Sequence, residues 1–333
     1  MKTHSIRRLV ARQIWLLLLV IGIAPATVKA QTNTGEVRGL VRDPSGAALP
    51  GATVTVRHLA TGQTAARTTD SAGRFYIPGL PIGGVEIKAE LAGFTPQNQT
   101  GIVVVMGQTL DLEFTLALGL KEEVTVVANA PLLQVATAEI SDVINNREVV
   151  QFPLNGRTFL SLAQMSDAVV LPPGGTRGEA LQQAGPLPNV GGQRSGHNIY
   201  LLDGVKVTDE LFNNLVISPS VDSIEEFKIQ KSLYPAEFGG KASALINVAT
   251  KAGGNAFHGS LFEYLRDDRF DARNYFDPKD RPVPPLTQNQ FGGSAGGPIV
   301  KDRSFFFLSY ERLRAERSLT RTFTVPDAAV RDG

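Results

Sequence analysis

Beyond residue 32, apolar and polar residues mostly alternate with a period of two, the repeat of a strand with one buried face. From Thr32 to Leu118 the alternating runs are cut by Asp-Pro-Ser-Gly, Leu-Pro-Gly and Asp-Ser-Ala-Gly turns. The pattern predicts strands at 35–42, 52–56, 63–69, 74–77, 85–91, 102–106 and 110–118. Within the second, Val54 and Val56 share one face and the threonines the other. Seven short strands at turn spacings of about 8–12 residues describe a β-sandwich.

The pattern changes between Glu139 and Lys251 into a mixed α+β unit. Ile140–Ile144 reads as a strand, Asn146 as the cap of a brief helix ended by Pro153, and 158–165 as a helix with Leu160, Leu162 and Met165 on its apolar side. Residues 171–189, rich in Gly, Pro and Gln, read as a flexible loop. Ile199–Leu202 is a strand stopped by the Asp203-Gly204 turn. Ser223 reads as an N-cap with Glu226 as its capping-box partner. Phe227–Gln230 alternates as a strand, and Ala244, Ile246 and Val248 line one face of another.

From residue 257 the runs lengthen. Strands are predicted at 257–266, 288–297 and 304–314, with a long, proline-rich loop at 267–287 and a short turn at 299–303. Phe262 and Tyr264 share a face; Phe306, Leu308 and Tyr310 share another, with Ser309 and Glu311 opposite. Long loop, strand, tight turn, strand is the asymmetry of an outer-membrane β-barrel, and the aromatics fit its interfacial girdles. Three strands cannot close a barrel, and an open edge in hydrocarbon leaves backbone groups unsatisfied, so 253–333 reads as the start of a barrel and the chain as an N-terminal fragment.

The first thirty residues carry no fold. Lys2, Arg7, Arg8 and Arg12 precede an apolar run from Ile14 to Ala24, and Val28-Lys29-Ala30 places small residues where a signal peptidase reads, so cleavage is expected after Ala30. The apolar run is shorter than the ~20 residues a membrane helix needs. A net charge of +1 supplies no basic stripe for nucleic acid. Absence of cysteine removes thiol nucleophiles, thiolate metal sites and disulfides together.

Several motifs stand in an order that resembles a known family. GGQRSGHNIYLLDGV, then SIEEFKIQ, PAEFGG and INVATKAGGN, are similar to the plug of TonB-dependent outer-membrane receptors. GEVRGLVRDPSGAALPGATVTV, DSAGRF, LPIGG and LAGF resemble the carboxypeptidase-regulatory-like, transthyretin-like sandwich that precedes the plug in the Oar-like branch. The resemblance implies a mainly β chain divided into a signal peptide at 1–30, a sandwich at 32–118, a linker at 119–138, a plug at 139–251 and the incomplete barrel at 253–333. It implies outer-membrane localisation in a Gram-negative-type bacterium, with lipid around the barrel. It further implies ligand uptake gated by the plug, energised through TonB in the periplasm, with a siderophore, oligosaccharide or peptide as the extracellular ligand. The linker is where such receptors carry the TonB box, which places Glu122, Glu123, Val124, Thr125, Val126, Val127 and Ala128 as TonB-contact candidates. An extended, β-branched peptide can add to a partner's sheet edge through its backbone, though Val124–Val127 could instead close the sandwich as a last strand. In the plug, Arg194 and Asp203 are expected to pair, with Gly204 completing the turn.

Other chemistry finds little foothold. Gly292-Gly293-Ser294-Ala295-Gly296 satisfies G-x-S-x-G, yet Pro298 and a strand follow instead of a helix, and no histidine follows Ser294. His58 stands alone as a possible metal ligand in the sandwich. Adjacent Glu225 and Glu226 do not face a common substrate. No catalytic residue, metal site or cofactor is expected. The competing reading is a soluble periplasmic or surface protein that binds carbohydrate or adheres through the sandwich, for which the aromatic strands after 257 have no use. N-terminal sequencing of the exported protein is expected to begin at Gln31; an intact Met1 would overturn the signal-peptide reading.

Overall fold

The computed structural model describes residues 33–119, 124–127, 139–152, 154, 157–171, 187–209, 211, 213–232, 234, 238–273, 275, 279–280 and 282–317. The signal peptide, most of the 171–189 loop and Glu122, Glu123 and Ala128 lie outside them.

Strands β1 (Thr34–Arg42), β2 (Thr53–His58), β3 (Thr64–Thr68), β4 (Arg74–Pro81), β5 (Gly83–Glu90), β6 (Gln97–Val104) and β7 (Thr109–Thr115) build a two-sheet sandwich. One sheet runs β4-β1-β7; the other runs β3-β2-β5-β6 and gains β8 (Val124–Val127) beside β6. The alternation explains the core. Val37, Val41, Val54, Val56, Phe75, Ile77, Ile87, Leu110, Leu112 and Phe114 are buried between the sheets, each side chain worth about 1.5–3 kcal/mol when removed from water. Phe75 and Phe114 pack at 6.0 Å between ring centroids.

The second unit holds β9 (Ile140–Asn145), helix α1 (Asn146–Gln151), the short pair β10 (Val169–Val170) and β11 (Asn189–Val190), then β12 (Ile199–Leu202), β13 (Val205–Lys206), β14 (Ile224–Ser232) and β15 (Leu245–Thr250). Its sheet order is β13-β12-β15-β14-β9. Phe159, Leu160 and Leu162 from a 3₁₀ segment at Phe159–Met165 cover one face, with Phe159 edge-on to Phe227 at 5.8 Å.

Three local expectations change here. The cap of α1 is Asn145, one residue earlier than predicted; it forms a capping box with Glu148, while the Asn146 side chain donates to Ile224 O at 2.6 Å. Residues 159–165 wind as 3₁₀, and Met165 is exposed. Ser223 and Glu226 form no capping box. Val221–Ser223 is one 3₁₀ turn and β14 starts at Ile224, with a bulge between Ile224 and Glu226. The Ser-x-x-Glu spacing matched by coincidence; pairing on both sides, to β15 and β9, makes this stretch a strand.

Beyond that bulge the strand turns its polar side chains toward the sandwich. With Phe227 and Ile229 in the core, Glu226, Lys228 and Gln230 share the opposite face, and all three are buried. The sandwich's turn between β6 and β7 covers Glu226 and Lys228. The Met106 amide donates to Glu226 Oε1 at 2.8 Å, and Lys228 Nζ donates to Met106 O at 3.2 Å and pairs with Glu139 at 2.8 Å. Asn33 bonds both Asp203 (3.2 Å) and Asn247 (3.0 Å), a second tie between the two units.

Strands β16 (His258–Asp267), β17 (Leu286–Val300) and β18 (Ser304–Arg317) form an antiparallel meander. A three-residue turn with Asp302 at φ 60° joins the last two. Ser294 lies mid-strand in β17, 3.0 Å from Ser260 Oγ, with none of the strand-to-helix geometry of a nucleophile elbow.

Burial pushes the Glu226 carboxyl up from 4.5 to about 7, against the opposing pull of the Met106 amide and of Lys228. Between these two values the folded protein holds a proton that the unfolded chain releases. This contribution to stability is therefore full below pH 4.5 and is lost as pH rises through about 7. Glu226→Gln keeps an acceptor for Met106 and removes the titration. Its unfolding midpoint is expected to vary less between pH 5 and pH 8 than that of the wild type, and at pH 8 it gains on the order of 2–3 kcal/mol. Parallel pH profiles for the two proteins would overturn this account.

Candidate functional site

Two joints carry the functional geometry: one between the α+β unit and the long meander, the other between that unit and the sandwich.

The first centres on Arg157. Its backbone adopts φ 49°, the left-handed region, and its amide donates to Leu154 O at 3.2 Å. The guanidinium pairs with Asp222, and both side chains are nearly buried, at 11% and 10% exposure. The same guanidinium lies 4.4 Å from the Phe262 ring centroid and 4.7 Å from that of Tyr264. Arginine suits this place because one planar cation can meet a carboxylate along its edge and rings across its face. Ser260 Oγ reaches Asp222 Oδ1 at 3.5 Å, and Ser220 Oγ donates to Glu311 Oε2 at 2.5 Å.

These contacts orient the meander. Ser260, Phe262, Tyr264, Ser294 and Glu311 face the α+β unit. Leu261, Leu308 and Tyr310 point away and are exposed. Phe306, packed at 6.4 Å on Phe257, joins that outer face. Phe262 and Tyr264 therefore do not belong to an outer girdle, as expected from their type. Registration with Ser260 turns them inward, where Arg157 takes them. Gly292 makes room: a Cβ there would meet the Phe262 ring at 2.7 Å and Tyr310 O at 2.3 Å.

The second joint is the Met106–Glu226–Lys228–Glu139 cluster. Glu139 is also pushed upward by burial, but its bonds to Lys228, Ser141 and Gln230 outweigh this and hold its carboxyl below the usual range. Beside it, Lys231 bridges Asp142 (2.9 Å) and Asp167.

The residues singled out from the sequence fall in three places. Val124–Val127 pairs parallel with β6, Val124↔Gln97 through Val127↔Thr100, so it is the sandwich's terminal strand. All four of its side chains are exposed. Arg194 and Asp203 do not pair. Arg194 is exposed ahead of a 3₁₀ turn at Ser195–His197. The Asp203 carboxylate accepts instead from the Thr250 amide (2.8 Å), Thr250 Oγ1 (2.7 Å) and Asn33. Those bonds pin the Asp203-Gly204 turn, where both residues take positive φ. Asn198, which follows the Ser195–His197 turn, is fully buried and bonds Pro188 O and the Tyr200 hydroxyl. His58 is buried with its ring nitrogens on Thr61 Oγ1 (2.9 Å) and Ile82 O (3.1 Å), an arrangement that packs the sandwich.

Comparison with known proteins decides the class. Residues 36–117 match the family model of the carboxypeptidase regulatory-like domain, and residues 249–333 that of an outer membrane beta barrel domain. The chain is 26% identical over 270 residues to the TonB-dependent transporter Oar of Myxococcus xanthus. This is an outer-membrane protein that joins a carboxypeptidase regulatory-like domain to a barrel domain. Among solved structures, the chain aligns with the siderophore receptor PirA from Acinetobacter baumannii (19% identity, 53% of this chain and 24% of that one, TM-score 0.39). It also aligns with the outer membrane transporter YddB from Escherichia coli (13% identity, 53% and 26%, TM-score 0.43). The match to Oar covers 76% of this chain and 24% of the relative's length. With β16–β18 in an outer-membrane barrel domain, the soluble periplasmic reading falls.

Arg157→Ala leaves Asp222 buried without its counter-charge, expected to cost about 3–5 kcal/mol in unfolding free energy. Arg157→Lys recovers part of it. A double-mutant cycle with Phe262→Leu is expected to show a coupling of about 0.5–2 kcal/mol. Additivity of the two changes would remove the ring–guanidinium contact from the account.

Proposed function

We propose that the full-length protein is a TonB-dependent outer-membrane receptor or transporter. The α+β unit serves as the plug, and 124–127 belongs to the segment a periplasmic TonB grips. Similarity to a TonB-dependent transporter and the outer-membrane barrel domain support the class. The observation that carries the gating role is the Arg157 joint. It fastens the α+β unit to the inward face of the first barrel strand through one ion pair and two rings, a contact strong enough to hold at rest and local enough to release under load. Ligand binds outside, TonB pulls from within, and the plug shifts along the wall. The residues named act by packing, charge and hydrogen bonding, and no covalent step is assigned to them.

The periplasmic domain of the cognate TonB is expected to retain the full-length protein from detergent extract. Deleting Val124–Val127 should abolish retention while the protein still fractionates with the outer membrane. Undiminished retention by the deletion variant would overturn the assignment.

A further inference from the structure

A sheet edge offers a row of N–H and C=O groups to any chain that passes, and natural edges are blunted by charge, proline or bulges. Among the described residues, the edge strands of four or more residues obey that rule, with one exception. β3 carries Arg67; β4 carries Arg74, Pro78 and Pro81; β9 carries Asp142; β16 and β18 are charged. β7 carries Asp111 and Glu113, and its backbone is further occupied: Gln97 Oε1 accepts the Thr115 amide and Gln99 Nε2 donates to Glu113 O, both at 2.9 Å. β8 reads Val-Thr-Val-Val, with no charge, proline or glycine. It is β-branched throughout, and among the described residues nothing pairs with its outer edge.

Which backbone groups face outward is set by one bond. The Val124 amide donates to Pro96 O at 3.0 Å, so in a parallel ladder Val124 and Val126 serve β6 while Thr125 and Val127 present their N–H and C=O outward. The exposed side chains demand no matching core on an incoming strand. We propose that β8 is a preformed docking edge. A strand of the TonB-type partner adds to Thr125 and Val127 while β8 stays bonded to β6, extending the five-stranded sheet across two proteins. This rests on the reading that 124–127 is the gripped segment. It differs from capture of a loose peptide in two ways. The sandwich has already met the cost of ordering the strand. In addition, a pull on β8 loads β6 and its following turn, which ends at Met106 against Glu226 and Lys228 of the plug.

A staple tests it. These 333 residues hold no cysteine, so Thr100→Cys with Val127→Cys, at paired positions of β6 and β8, introduces a single possible disulfide among them. The probe is the periplasmic domain of the cognate TonB, titrated against the full-length protein in detergent. Equal affinity within about threefold for oxidised and reduced forms is the expected result. A loss of tenfold or more on oxidation, restored by reductant, shows that the partner must strip β8 from β6 and overturns the inference while leaving the proposed function standing. Absence of binding by the wild type overturns both. Thr125→Pro removes an outward N–H and no bond to β6. It is expected to weaken binding at least tenfold with an unchanged unfolding midpoint, and unchanged binding would also overturn the inference.

Discussion

Every backbone amide and carbonyl at the rim of a sheet must find a partner, and that requirement shapes this protein more than any single side chain. The sandwich closes one rim with the amide side chains of Gln97 and Gln99 and another with a borrowed strand from beyond Gly119. The five-stranded α+β sheet ends in β13, which carries Lys206, on one side and in β9, which carries Asp142, on the other. In the barrel strands the same need is met by neighbours in register, because hydrocarbon offers no alternative.

The two joints between units use different chemistry for related ends. At the sandwich, a carboxylate and an ammonium are buried under one backbone turn, each answering a different atom of Met106. The ammonium finds its counter-charge in Glu139, while the Glu226 carboxyl, pushed toward its neutral form by burial, is held by the Met106 amide. At the barrel wall, a guanidinium is held between a carboxylate and two rings. The first joint is sensitive to protonation. The second depends on geometry, since the guanidinium must keep its place over both rings while it meets the carboxylate.

Much of the architecture was legible because strand alternation and turn chemistry are local. The sandwich strands and the three barrel strands emerge near their observed positions, and the inward setting of Ser309 and Glu311 follows from the period of two. What failed had non-local causes. Glu226 looked like a helix cap because Ser223 stands three residues before it, whereas the pairing that makes it a strand comes from β9 and β15. Arg157 and Asp222 are 65 positions apart, and no spacing rule joins them. The family resemblance implied that Arg194 and Asp203 pair, but Thr250, beyond the reach of a local pattern, claimed the carboxylate. The alternation of Glu226, Lys228 and Gln230 against Phe227 and Ile229 was the available clue that this sheet has a second covered face.

The glycine run of β17 has a structural meaning beyond flexibility. At Gly292 the Phe262 ring lies where a side chain would stand, and at Gly297 the Phe257 ring does the same on the other surface of the sheet. A wall built this way is thin at its middle strand and padded by its neighbours' rings on both sides. The inner padding is what Arg157 grips, and the outer is the Phe257 ring, packed on Phe306. A single added methyl at either glycine would thus be felt on one side as a loosened cork and on the other as a roughened hull.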